Sequence, residues 1–294
     1  SLISLDLADN GITGGVPASL GALPALRVLV LRNNSLGGAI PASLGRLRKL
    51  ERLDLRAARL VSSLPPEMGN MTSLSFLDLS MNNLSGSIPP EIGEAKTLQR
   101  LSLFSNNLTG VIPAEIGGMA SLQMLHLGSN CLTGPIPSSV GNLTQLVILI
   151  LNFNNLTGLV PAPEIGNLRA LQDLDLNNNR LEGELPAALA LLRELNYLSL
   201  STNKFTGPVP YFSSQKLITA AFDTNNFSGR LPESFCQLTS LEILDLSSNQ
   251  LYGQLPSCLW DLQDLMFMDL SNNDLSGDVL MSANTNFSLE SLQS

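Results

Sequence analysis

Asparagine returns along this chain at a fixed period, and that period limits what the chain can fold into. The residues are Asn10, Asn34, Asn82, Asn106, Asn130, Asn154, Asn179, Asn203, Asn225, Asn249 and Asn273, with Ala58 in the one slot that lacks it. Steps are 24 residues, apart from one of 25 (Asn154 to Asn179) and one of 22 (Asn203 to Asn225). Leucine or a similar residue precedes each slot at −8, −5 and −3, and an apolar residue follows at +2. Glycine follows at +4 in every repeat but the third, where Ser62 stands. Eleven of the twelve units carry an apolar-Pro pair at +6/+7, from Val16-Pro17 to Leu255-Pro256. A unit this short cannot bury its own leucines, so its stability has to come from stacking on its neighbours.

The residue types say how each unit is built. Alternating leucines make a short strand with the leucines inward, and successive strands stack in parallel about 4.8 Å apart. At the strand end a buried Asn can both donate to and accept from backbone groups. Losing one should leave buried backbone groups unpaired, at about 1–3 kcal/mol. Gly at +4 permits a sharp bend, and Pro at +7 fixes φ and prevents a helix. Pieces such as "EIGNL" and "SLGAL" supply a short helical or 3₁₀ turn on the outer side. Ala58 and Ser62 break the pattern, so repeat three is expected to be locally irregular.

Repeat four reads Leu74-Ser-Phe-Leu77-Asp-Leu79-Ser-Met-Asn82-Asn-Leu84-Ser-Gly86-Ser-Ile88-Pro89. It resembles the plant-specific leucine-rich repeat, LxxLxLxxNxLxGxIPxxLGxL, and the resemblance covers residues 2–277. It implies an α/β solenoid, a right-handed curved superhelix with a parallel β-sheet on its concave face and 3₁₀ turns or short helices on its convex face. Residues 1–294 then form a single array of twelve repeats. The cysteine-paired caps of complete ectodomains of this family are absent, and "NFSLESLQS" looks like the start of a thirteenth unit, so a fragment of a longer ectodomain is expected. The region around Cys236 and Cys258 resembles the C-terminal part of plant receptor-like proteins and kinases, where a similar pair is bridged; two packed thiols are the other reading. Cys131, next to Asn130, reads as a small buried filler.

Charge and composition exclude several functions. The net charge is −9, with 16 Lys+Arg against 25 Asp+Glu, which argues against a general nucleic-acid binder. No run of eighteen apolar residues is present to span a membrane. Sequons stand at Asn33, Asn70, Asn83, Asn107, Asn142, Asn155, Asn226 and Asn286. Four of them come partly with the repeat motif, whereas Asn70 and Asn142 fall on the expected outer side; together they favour a secreted chain. The single histidine, His126, has no nucleophile and orienting partner beside it, and no Cys/His metal spacing exists. It reads as a plain surface residue on the concave face. No metal, cofactor or enzymatic activity is expected.

Recognition is the better expectation. Residues between the leucines should form columns across the concave face. Arg32, Arg52, Arg56 and Arg100 gather in repeats two to five, where an anion, or more simply Asp54 and solvent, would relieve their repulsion. Phe76, Met81, Phe104, Met124, Ile148, Ile150 and Phe153 add an apolar strip in repeats four to seven. The candidate ligand-binding residues are therefore Arg32, Arg52, Arg56, Phe76, Arg100, Phe104, Met124, His126, Ile148 and Phe153. Receptors of the resembling family often grip a peptide carboxylate with an Arg-x-Arg pair on one strand; Arg52 and Arg56 flank Asp54 and do not reproduce it. The island domain common in that family is also absent. The resemblance implies an extracellular segment of a plant receptor-like kinase or receptor-like protein. Such a segment would bind a secreted peptide or protein and pair with a co-receptor at the outer face of the plasma membrane. A secreted inhibitor of cell-wall hydrolases, similar to polygalacturonase-inhibiting proteins, is the alternative, and a purely structural array the third reading.

Overall fold

The computed structural model describes residues 2–277. Each repeat gives one three-residue strand to a parallel sheet of twelve, in strict chain order from Ser4–Asp6 to Phe267–Asp269. Equivalent residues pair across every step, so Arg52 faces Phe76, Phe76 faces Arg100, Arg100 faces Met124, and Met124 faces Ile148. The leucines of all the repeats merge into one continuous core in which most are fully buried.

The outer side is made of ten 3₁₀ turns among the described residues, such as Pro90–Glu94 and Ala114–Gly118. Repeats one to seven carry a glycine in each turn, and the reason is contact. A Cβ at Gly93 would lie 2.0 Å from the carbonyl oxygen of Glu115 in the next turn, and one at Gly69 would lie 2.1 Å from that of Glu91. The column then changes to Ala190, Cys236 and Trp260. Cys236 is bonded to Cys258, 22 residues on. That is the same separation that puts Gly93 against Glu115. The disulfide thus occupies the place where earlier repeats touch through glycine, with its Cα atoms 5.6 Å apart.

A second parallel sheet runs along one flank, which the repeat pattern does not announce. It has a three-stranded part from Val61–Ser62 to Asn107–Leu108 and a seven-stranded part from Thr133–Gly134 to Asp274–Leu275. Its backbone bends at the +4 glycines, which hold positive φ, for example 76° at Gly110. Cys131 lies at the edge of this flank and is exposed, not a buried filler. Its slot is the residue after the ladder Asn, whose side chain points outward, as those of Asn83 and Asn107 also do.

The ladder asparagines make one recurring set of bonds. Asn130 donates through Nδ2 to the carbonyls of Leu127 (3.0 Å) and Gly128 (3.2 Å) in its own repeat. It also donates to Leu103 of the preceding repeat (3.0 Å), and its Oδ1 accepts the N–H of Leu108 there (3.0 Å). Every inter-repeat bond of this side chain reaches backward along the chain, and Asn34, Asn82 and Asn154 repeat the arrangement. Repeat three keeps both its strands; its irregularity is Arg59, at φ 58°, whereas Ser62 holds at 84° the positive φ that glycine takes at +4 in the other repeats. There Asn82 Oδ1 accepts from two donors, the N–H groups of Ala58 and Leu60.

Candidate functional site

The concave sheet brings the arginines together but does not leave them all free. Asp54 is buried among them, accepting from Arg52 Nη2 at 2.8 Å and lying 3.9 Å from Arg32 Nη1. Arg32 also pairs with Asp9 at 3.2 Å. Asn33 and Arg32 both donate to that carboxyl and hold it below the usual carboxylate range. The Arg52 guanidinium additionally stacks 3.8 Å over the Phe76 ring, a cation–π contact. Asp54 therefore does the neutralising that an external anion could have done. Arg56 points a guanidinium nitrogen to Met81 Sδ at 3.4 Å, and neither Arg56 nor Arg100 belongs to any of the six ion pairs among the described residues. These two are the arginines of the concave columns in repeats three to five that stand outside those ion pairs.

The apolar strip is interrupted once in its first column, where Arg100 stands between Phe76 and Met124. Phe76, Phe104, Met124, Ile148 and Ile150 are half-buried on the concave side, and Phe153 and Met81 stand out from it, 53% and 46% exposed. His126 is not a plain surface residue. Its ring stacks on Phe104 with centroids 4.6 Å apart, and burial pushes its pKa down despite the nearby Asp78.

Phe153 shows something the sequence reading missed. The residue before each ladder position has positive φ throughout: Asp9, Asn33, Ala57, Met81, Ser105, Ser129, Phe153, Asn178, Thr202, Thr224, Ser248 and Asn272. Asn and Asp tolerate that conformation and bulky residues do not. Phe153, at φ 50°, is the bulkiest side chain in the column. Most of its occupants are small or polar, and that was the available signal.

The sequons at Asn70 and Asn142 end 3₁₀ turns and are exposed, and Asn33, Asn83, Asn107 and Asn226 are exposed as well. Asn155 is partly covered, and Asn286 lies outside the described residues. On the convex side a hollow of about 350 Å³ is lined by Arg46, Arg48, Glu67 and Asn70 among others; it lies between turns, away from the strip. Among the described residues no group of three or more His, Cys, Asp or Glu is placed to hold a metal. No helix there is long and apolar enough to cross a membrane.

Known proteins place this geometry. Leucine rich repeat profiles match residues 1–60 and 96–156, and also 73–95, 170–192 and 240–262. No curated protein matches the chain. Among solved structures it is similar to the ectodomain of the Arabidopsis thaliana membrane receptor kinase GASSHO1/SCHENGEN3 in complex with CASPARIAN STRIP INTEGRITY FACTOR 2. That match has 36% identity and a TM-score of 0.83 over 95% of this chain and 36% of that one. The Arabidopsis receptor kinase HAESA ectodomain with an extended IDA peptide hormone matches at 38% identity and TM-score 0.88, over 93% and 46% of the two chains. HAESA with IDA and the co-receptor SERK1 matches at 33% and 0.79, over 92% and 50%. The chain thus spans between a third and a half of these ectodomains.

Proposed function

This chain belongs to the leucine-rich repeat family, and from that premise we propose that it is an extracellular ligand-recognition segment of a plant cell-surface receptor. It binds a secreted peptide or protein on the concave face of repeats two to seven and pairs with a co-receptor ectodomain. The mechanism is surface complementarity without covalent chemistry.

The observation that carries this reading is the group Phe76, Phe104, Met124, Ile148, Ile150 and Phe153, apolar side chains gathered around Arg100 on the solvent-facing side. Contiguous apolar surface of this kind marks a binding site. The Cys236–Cys258 bond and the exposed sequons fit an oxidising, secretory route. The resemblance to hormone-bound and co-receptor-bound ectodomains supports both the ligand class and the partner.

The test is to select binders from a library of random dodecapeptides against the folded chain. Selected peptides should lose binding to Met124→Asp and Ile148→Asp variants that keep their thermal stability. Peptides indifferent to both substitutions would place recognition elsewhere and overturn the reading.

A further inference from the structure

Asn70 opens the sequon Asn70-Met71-Thr72 and closes the 3₁₀ turn Pro66–Asn70 of repeat three, on the convex side. It borders two hollows at once. One, of about 350 Å³, is walled by Arg46 and Arg48 of repeat two and by Glu67. The other, of about 220 Å³, is walled by Glu67 and by Glu91 and Glu94 of repeat four. Together they reach the volume of small-ligand sites, about 300–1,000 Å³. Arg46, Arg48 and Glu67 are exposed, and none of them belongs to any of the six ion pairs among the described residues. The guanidinium groups offer N–H donors and the carboxylates offer acceptors. That is the set which an acetamide carbonyl and ring hydroxyls need.

The equivalent sequon elsewhere shows what is particular here. Asn142 also ends a 3₁₀ turn and opens Asn142-Leu143-Thr144. In the repeat before it, Gly118 and Ala120 stand where Arg46 and Arg48 stand for Asn70, and neither has a polar side chain. The junction is particular as well. Repeats two and three meet where the ladder lacks a rung, since Ala58 cannot make the backward bonds that Asn82 makes to Leu55, Ala58 and Leu60. The two turns press together at that junction, where a Cβ at Gly45 would fall 2.3 Å from the Glu67 carbonyl oxygen. A group fixed to Asn70 and resting on Arg46 and Arg48 spans it.

We infer that Asn70 carries an N-linked glycan whose first sugars lie in the hollow of Arg46, Arg48 and Glu67 and staple repeat three to repeat two. This rests on the extracellular reading above and not on the identity of the ligand. In the attachment step, Asn70 Nδ2 bonds to C1 of the first N-acetylglucosamine of a lipid-diphosphate-linked oligosaccharide. The C1–O bond to the diphosphate breaks, the lipid diphosphate leaves with the electron pair, and Nδ2 gives up one proton. The acetamide carbonyl accepts from the guanidinium groups, and a ring hydroxyl donates to Glu67.

The chain is secreted from plant cells behind a signal peptide, and glycopeptide mass spectrometry should find Asn70 occupied. Thr72→Ala abolishes the sequon and leaves Asn70 and its turn in place. It should lower the melting temperature by about 2 °C and speed hydrogen exchange in residues 42–48 and 66–72. Thr144→Ala, which strips Asn142, should leave the melting temperature unchanged. Arg46→Ala/Arg48→Ala should cost as much as Thr72→Ala in the glycosylated chain and nothing more once the sugar is gone, as partners in one contact do. Sugar on other sequons with Asn70 bare, or arginine and sequon effects that simply add, would overturn the staple and leave the receptor reading standing. Sugar on no sequon would overturn both.

Discussion

Replacing Asn130 by alanine tests the account of how the turns are held. The side chain is buried and makes four bonds: three donated, to Leu103, Leu127 and Gly128, and one accepted from Leu108. The carbonyls would not be stranded. Leu103 keeps the Nδ2 of Asn106, Leu127 that of Asn154, and Gly128 the N–H of Ser105. The buried N–H of Leu108 has no such reserve. The expected cost is about 1–3 kcal/mol for the orphaned donor and a few tenths for each shared bond, so about 2–4 kcal/mol in all. Asn10 is the internal control. It is exposed and makes only two local bonds, to Leu7 and Ala8, so Asn10→Ala should cost under about 0.5 kcal/mol. Urea unfolding gives the difference, and hydrogen exchange locates it, because the amide of Leu108 should lose protection while that of Leu156, served by Asn179, keeps it. If Asn130→Ala costs no more than Asn10→Ala, or if Leu108 stays protected, the ladder is ornamental and the reasoning fails.

Other outcomes follow from the same structure. Ala58→Asn should stabilise the chain by about 1 kcal/mol, since an Asn there has the carbonyls of Leu31 and Leu55 and the N–H of Leu36 at ladder spacing; a lower urea midpoint would refute it. Gly93→Ala should cost about 1–3 kcal/mol, because its Cβ meets the Glu115 carbonyl and the turns must part; an unchanged midpoint would show that the contact is slack. Phe153→Asn should leave stability equal or higher, as Asn suits a φ of 50°, while binding of strip-dependent peptides falls; retained binding would remove Phe153 from the site. Burial and its acidic neighbours raise the Asp245 pKa, so the folded state holds that proton more tightly than the unfolded chain does. Its contribution to stability grows as pH falls through the folded pKa and is lost as pH rises above it. Asp245→Asn should therefore flatten the stability-against-pH curve just above the ordinary aspartate value of 3.8, and an unchanged slope would refute the shift.

The solenoid was legible because its determinants are local and repeated: a leucine every few residues, one Asn, one Gly, one Pro. The columns followed from strand alternation, so Phe76, Arg100 and Met124 could be set side by side before any coordinate was known. Asp54 was within reach of that reading, since alternation puts Arg52 and Asp54 on one face of a strand, and the pair forms. What could not be read depended on contacts between columns. His126 becomes a stacked ring only because Phe104 lies across the step. Cys131 was misplaced because the flanking sheet, which decides what is outside there, arises from the turns and not from the leucine pattern.

The backward reach of the ladder gives the array an arrow in time. A repeat emerging during synthesis has its own Asn, yet the N–H that this repeat leaves open, such as Leu108 for Asn130, is closed only when the next one arrives. The growing end is always one unit short of finished, whereas the starting end never waits for anything behind it. Trimming a repeat from the C-terminal side should therefore orphan a buried donor such as the N–H of Leu108, whereas trimming from the N-terminal side should orphan strand-entry donors such as the N–H of Ser75, which reaches Glu51. The array has a direction because a single amide points the same way in turn after turn.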